Sequence, residues 1–323
     1  MIRTTFLAAL AGAAALAGAA PTFAACAIRG AALPVKMEGL RPIVTAKVDG
    51  KDARFLVDSG AFTSTVTTRF AEERSLRPAK VPVTGSHIQV QGARLGESVA
   101  GTVQEFTVVE TDELNLGGIR FKKWGFMTEN GGGEDRAGLI GQDMLRLMDV
   151  EYDLGHDAMK MLQVTDCKDT NLAYWAANGT PYSVLPLERS EQGDEHTVSM
   201  VMINGVKLRA EFDTGAATSF ITEAAARRAG VKVSDPGVTE AGIVRGVDGR
   251  GVKVWSARFA SVKIGDEEVH NGLLDIGRTE ATSFDILIGA DFFRAHHVYV
   301  ANSQRKMYLT FNGGQVFNLA DGD

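Results

Sequence analysis

The stretch ARFLVDSGAFTS (Ala53–Ser64) decides how this chain is read, because it is written twice: LRAEFDTGAATS fills Leu208–Ser219. In each copy apolar, strand-like residues run into an aspartate, then Ser or Thr, then Gly-Ala. A lone aspartate at a strand end is usually a solvated turn residue. Two of them in matched surroundings need another explanation.

The match extends upstream. PIVTAKVDGKDARFLVDSGA precedes the first turn and HTVSMVMINGVKLRAEFDTGA the second. Asp49-Gly50 and Asn204-Gly205 are two-residue hairpin signals between alternating apolar residues. Each of these glycines stands eight residues before its aspartate, and Arg54 and Arg209 fall in register. After each turn come a Thr-Ser pair and a short helical segment, TRFAEERS or TEAAARRAG.

A second landmark recurs downstream. AGLIGQDMLRLMDVEYD (Ala137–Asp153) matches DILIGADFFRAHHVYVA (Asp285–Ala301), and a short strand (MKML, KMYL) follows each. Asp143 and Asp291 fall where a short helix should begin, which predicts that they cap it. Short strands, Gly/Asn/Asp turns and brief helices in both halves predict an all-β chain of two similar lobes. The boundary is expected in the polar stretch Asp166–Ser183, giving lobes at 25–175 and 176–323.

A pseudo-two-fold axis between such lobes would set Asp58 against Asp213. Two carboxyls in contact cannot both ionise cheaply, so the pair shares a proton, one member acting as base and the other as acid. Gly60 and Gly215 would let backbone N–H groups approach the acids, and Ser59 and Thr214 would lock one turn to the other. The apolar residues in front of the acids, Phe55, Leu56, Val57 and Phe212, would anchor them on buried strands.

These residues resemble a known family. VDSGA and FDTGA, each followed by Leu-Ile-Gly, are similar to the aspartic proteases, and the Asp-[Ser/Thr]-Gly-Ala form is most similar to their retropepsin-like branch. The resemblance spans roughly Pro34 to Leu309. It implies two β-barrel lobes related by a pseudo-two-fold axis, with Asp58 and Asp213 as the catalytic dyad. Leu-Ile-Gly at 139–141 and 287–289 would brace the turns from beneath. Both halves stand in one chain, as in pepsin-like enzymes. The candidate flaps, Gly85–Val103 and Ala241–Trp255, are Gly-rich, occur in both lobes and lack the tyrosine of the pepsin-like flap.

The chain has 323 residues, 45% of them hydrophobic, and a formal net charge of −6. This balance suits a soluble globular protein of two domains and gives no electrostatic reason to expect nucleic acid or an anionic membrane as partner. Residues 1–24 read as a secretory signal peptide: Arg3, an apolar run from Phe6 to Ala20, then small residues at Thr22 and Ala24. The run is short and Ala-rich for a membrane anchor, and Phe23 is a poor start for lipid attachment at Cys26. The two cysteines, Cys26 and Cys167, are an even pair in an exported protein, which predicts a disulfide closing the first lobe over metal binding.

No His/Asp/Glu group has zinc-ligand spacing, the glycines of ENGGGED (Glu129–Asp135) lack a following Lys-Ser/Thr, and no Gly-x-Ser-x-Gly elbow occurs. The expected protein is a secreted or periplasmic endopeptidase, monomeric, with a peptide or protein substrate and no cofactor, metal or retained membrane anchor. Two alternatives stand beside it: a catalytically silent peptide-binding module on the same bilobal fold, and a dimer in which each half pairs with another chain.

Overall fold

The computed structural model describes residues 26–79, 94–95, 104–105, 107–130, 135–188, 196–245, 251–279 and 283–317. The leader (1–24) and nearly all of the first candidate flap, Gly85–Val103, lie outside the described residues. So do 131–134 and 246–250.

Each acidic turn ends the second arm of a hairpin. Arg41–Val48 pairs antiparallel with Lys51–Val57, and Val198–Ile203 with Val206–Phe212. The turns between them hold positive φ at both central residues, Asp49 and Gly50 (49° and 80°), Asn204 and Gly205 (48° and 78°). That is the turn whose twist matches the flanking strands. Alternation along Arg41–Val48 sends Val44, Ala46 and Val48 into the core while Thr45 and Lys47 face solvent.

The same side chains close the lobes. In the C-terminal lobe the sheet runs Val198–Ile203, Val206–Phe212, Ile286–Ile288, Phe220–Thr222, Glu267–Gly277, Gly251–Ile264, and the last strand returns to pair with the first. Six strands thus form a closed barrel. Asn204 accepts from Ser261 N–H at 3.0 Å and Ser261 O accepts from Asn204 N–H at 2.8 Å, pinning the hairpin tip to the returning strand. The N-terminal lobe repeats this with Asp49, which accepts from Glu113 N–H at 2.8 Å and from Thr111 Oγ1 at 2.7 Å. There Glu113–Leu116 pairs back onto Arg41–Val48. The two long strands of the C-terminal barrel are each broken in the N-terminal one, at Thr111–Asp112 and at Lys123, whose φ is 54°.

A third sheet belongs to both halves. Its order is Ala27–Leu33, Ala158–Thr165, Asp149–Asp153, His296–Ala301, Lys306–Phe311, Ser183–Pro186, antiparallel throughout. At its centre the repeated strands pair with each other, and Glu151 lies opposite Tyr299, its own counterpart in the repeat. The pseudo-two-fold axis passes through that pair. The chain is therefore nearly all-β, two homologous barrel lobes with short helices, as the sequence predicts. Cys26 is bonded to Cys167, tying the first strand of the shared sheet to the end of its neighbour. No helix among the described residues is long and apolar enough to cross a membrane.

Candidate active site

Burial of Phe55, Val57 and Phe212 in the barrels fixes the strand ends from which the acidic turns emerge. Phe55 stacks on Phe126 with ring centroids 5.8 Å apart, and Phe212 meets Phe292 edge-on at 5.9 Å. Fully burying one such ring contributes about 2–3 kcal/mol, enough to hold the strand ends rigidly. Asp58 N–H then donates to Ile140 O at 3.0 Å, and Asp213 N–H to Ile288 O at 2.8 Å.

The turns meet across the axis. Ser59 N–H donates to Thr214 Oγ1 at 3.1 Å, and Thr214 N–H to Ser59 Oγ at 2.9 Å. The Ser59 hydroxyl donates to Phe212 O and the Thr214 hydroxyl to Val57 O, both at 2.8 Å. All four groups are buried, so each bond replaces an otherwise unpaired polar atom.

The axis brings Asp58 and Asp213 together. Gly60 N–H reaches Oδ1 of both acids at 3.1 Å, Gly215 N–H donates to Asp213 Oδ1 at 2.7 Å, and each acid acts on the ionisation of the other. A Cβ on Gly60 would lie far inside contact distance of the Asp213 carboxyl, and one on Gly215 would collide with that of Asp58. Glycine is therefore required by close approach, with no positive φ involved. Burial pushes both carboxyls above the usual range; the charge of Asp213 adds to the rise at Asp58, and that of Glu211 to the rise at Asp213. Both acids are therefore harder to ionise than isolated aspartates.

The Leu-Ile-Gly segments carry the turns from below. Gln142 N–H donates to Ala61 O and Ala290 N–H to Ala216 O, both at 2.8 Å. Asp143 and Asp291, expected to cap the short helices, do not. The cap positions are Gly141 and Gly289, and each aspartate is the second helical residue. Gly141 and Gly289 approach the turn backbone where a Cβ would collide, so each helix starts early and its aspartate points back into the turn. Asp143 accepts from Ser64 N–H (2.9 Å), Ser64 Oγ (2.7 Å) and Thr63 Oγ1 (3.1 Å). Asp291 accepts from Ser219 N–H (3.1 Å) and Ser219 Oγ (2.7 Å). Burial raises both carboxyls, that of Asp291 to about 6. The helix caps are Thr67 and Thr222, whose hydroxyls accept from Phe70 and Ala225 N–H in the helices that follow the turns.

Three residues near the acids were not singled out by the sequence. Gln142, matched by Ala290 in the other lobe, donates through Nε2 to Ser59 O at 2.7 Å and to Thr197 Oγ1 at 3.1 Å, a bond across the lobes without a symmetric mate. Glu129 is raised by burial, with the charge of Asp58 adding to it. Glu211 is buried beside Asp213. Glu211 continues the charged phase of its strand with Lys207 and Arg209, so alternation gave no signal; only its match to Leu56 in the first copy did.

Comparison with known proteins finds an aspartyl protease family in each half. Residues 44–147 match the family described as gag-polyprotein putative aspartyl protease, and residues 199–292 match the aspartyl protease family. Each match contains one acidic turn and one Leu-Ile-Gly segment. No curated protein sequence matches the chain. The crystal structure of a retropepsin-like aspartic protease from Rickettsia conorii aligns over 44% of this chain and 96% of its own, at 16% identity and a TM-score of 0.28. The crystal structure of edgp aligns over 87% of this chain and 94% of its own, at 11% identity and a TM-score of 0.47. With an aspartyl protease family matched in each half, and the two matches together spanning more than half of its residues, the chain belongs to the retropepsin-like aspartic proteases.

Proposed function

We propose that the protein is an endopeptidase whose single site, formed between its own two lobes, uses Asp58 and Asp213 as a shared-proton dyad. The observation that carries this reading is the Gly60 N–H held in common by both carboxylates. In the proposed reaction the ionised carboxylate removes a proton from water as its oxygen attacks the peptide carbonyl. The protonated partner donates to the carbonyl oxygen, giving a gem-diol. A proton then passes to the amide nitrogen, the C–N bond breaks, and an acid and an amine leave with the dyad again holding one proton. Ser59, Thr214, Gly60 and Gly215 position the acids and do not touch the substrate.

The lobes are proposed to divide at 175/176, with residues 1–24 removed on export. The Cys26–Cys167 bridge fits a secreted or periplasmic protein, since such bonds persist in oxidising compartments. The substrate is an extended peptide or protein segment, and the working form is a monomer. The test is a peptide-library digest with wild type, Asp58→Asn, Asp213→Asn and the double variant, each checked by melting curve. Either single change is expected to abolish hydrolysis, with the double hardly worse, because one loss already destroys the shared proton. A folded wild type that cleaves nothing from acidic to neutral pH, yet binds peptides as tightly as the variants, would instead be a binding module.

A further inference from the structure

Beside the acid pair, the two lobes differ at one matched position. Two residues before each aspartate, on the same face of its strand, stand Leu56 and Glu211. Around Leu56, its cross-strand partner Ile43 and its parallel neighbour Leu139 form a small apolar group against Ala61, separate from the barrel core. This face of the strand therefore turns away from the barrel and toward the acidic turn. In the other lobe Val198 and Leu287 pair with Glu211 in the same way, and Ala216 matches Ala61. The frame is kept, but its centre is a carboxylate.

Glu211 is 5% exposed, and its Oε1 lies 3.0 Å from His196 Nδ1. After burial, its charge is the largest influence raising Asp213. Burying a carboxylate where the symmetry-related residue is a leucine costs solvation free energy, and replacing such a pair by an apolar side chain is often neutral or stabilising. The barrel does not require the acid, since Leu56 fills the same position in the other lobe. What differs is the chemistry offered next to Asp213.

We infer that Glu211 determines specificity: the subsite beside Asp213 takes a basic side chain, lysine or arginine, while the subsite of Leu56, Ile43 and Leu139 takes an apolar one. This rests on the proteolytic reading above. An extended peptide lying across a two-fold site presents the side chains flanking its scissile bond to equivalent walls of the two lobes. One wall is apolar and one is anionic, so the preferred cut joins one residue of each kind. A carboxylate has two oxygens and His196 engages Oε1, so an ammonium or guanidinium pairs beside the imidazole or in its place. Glu129 does not undo the difference. Its strand, Gly125–Glu129, pairs with Thr65–Thr67 and Val108–Glu110, not with the strands that carry the apolar group.

The experiment digests peptides carrying Lys, Arg, Leu, Phe or Glu at each position flanking the cut. It uses wild type, Glu211→Leu, Glu211→Gln and Leu56→Glu, with melting curves for each. Wild type is expected to cut between one basic and one apolar residue. Because Glu211 also acts on Asp213, the reading is a ratio: Glu211→Leu and Glu211→Gln should lower kcat/KM on the basic peptide, relative to that on a peptide apolar at both positions, at least tenfold and mainly through KM. Leu56→Glu should accept a basic residue on the other side. If Glu211→Leu fails to fold, the near-isosteric Glu211→Gln reads the same preference. A wild type that prefers apolar residues on both sides, or variants that keep the basic preference, overturn this inference alone. A wild type that cuts nothing overturns the proteolytic reading and this one with it.

Discussion

Ser59 and Thr214 clasp each other across the axis, each accepting the other's backbone N–H and each donating its hydroxyl to the opposite strand. Ser59→Ala leaves a buried Thr214 N–H and Phe212 O without that partner, at a cost of about 1–3 kcal/mol for each group. Thr214→Val should cost a similar amount. Because the two share one network, the double variant should lose less than the sum, and urea titration of all four proteins gives the coupling.

Gly60→Ala should be worse for activity than for stability. The added methyl displaces the Asp213 carboxyl, so cleavage should fall at least 100-fold, roughly what a misplacement of about 1 Å costs. Overpacking should cost the fold about 1–3 kcal/mol. Gly215→Ala should do the same through Asp58. Activity on a good peptide and the melting temperature, measured together, check both halves of this expectation.

The buried acid beneath the second turn should make stability depend on pH. Asp291 titrates near pH 6 in the folded chain because burial outweighs the bonds from Ser219, and near 3.9 when unfolded. The folded state therefore binds the extra proton between these values. Its contribution favours folding below about pH 4 and is lost as pH rises through 6, about 3 kcal/mol in all. Asp291→Asn should flatten the stability profile across that window. Glu151 acts in a different window. Burial alone would raise it, but His297, Lys160 and Tyr174 bring it down to about 2, so its contribution holds above about pH 4.5 and is lost toward pH 2. Melting curves from pH 3 to 8 for wild type and Asp291→Asn separate the two.

The Cys26–Cys167 bond closes a span of 141 residues. Reducing it, or replacing both cysteines by serine, should lower stability by about 2–4 kcal/mol through the greater freedom of the unfolded chain. Alkylation and intact mass with and without reductant confirm the bond, and chemical denaturation measures its contribution.

What the sequence made legible was local. The Asp-Gly and Asn-Gly turns, the acidic turns eight residues on, and the short helices that follow those turns are written in short windows where backbone preference dominates. Repetition supplied the axis. Two kinds of feature escaped. Strand partners such as Glu113–Leu116 on Arg41–Val48, or Asp149–Asp153 on His296–Ala301, are set by burial between distant segments and leave no short-range mark. The direction of Asp143 and Asp291 depended on how closely Gly141 and Gly289 approach the turns, a packing fact that moves a cap by two residues and reverses the role of the side chain.

The shared sheet also constrains how the chain reaches its native state. Ala27–Leu33 must wait for Ala158–Thr165, and Ser183–Pro186 for Lys306–Phe311, so its outer pairings each span more than 100 residues. Loops of that size close slowly. Either half alone would leave three strands ending in an unpaired border where the other half belongs, a surface inviting wrong partners. Refolding should therefore show barrel formation first and a slower, halves-dependent phase in which Glu151 meets Tyr299. The two acids come into contact only then, so a partly folded chain carries both acidic turns without the joint site they form.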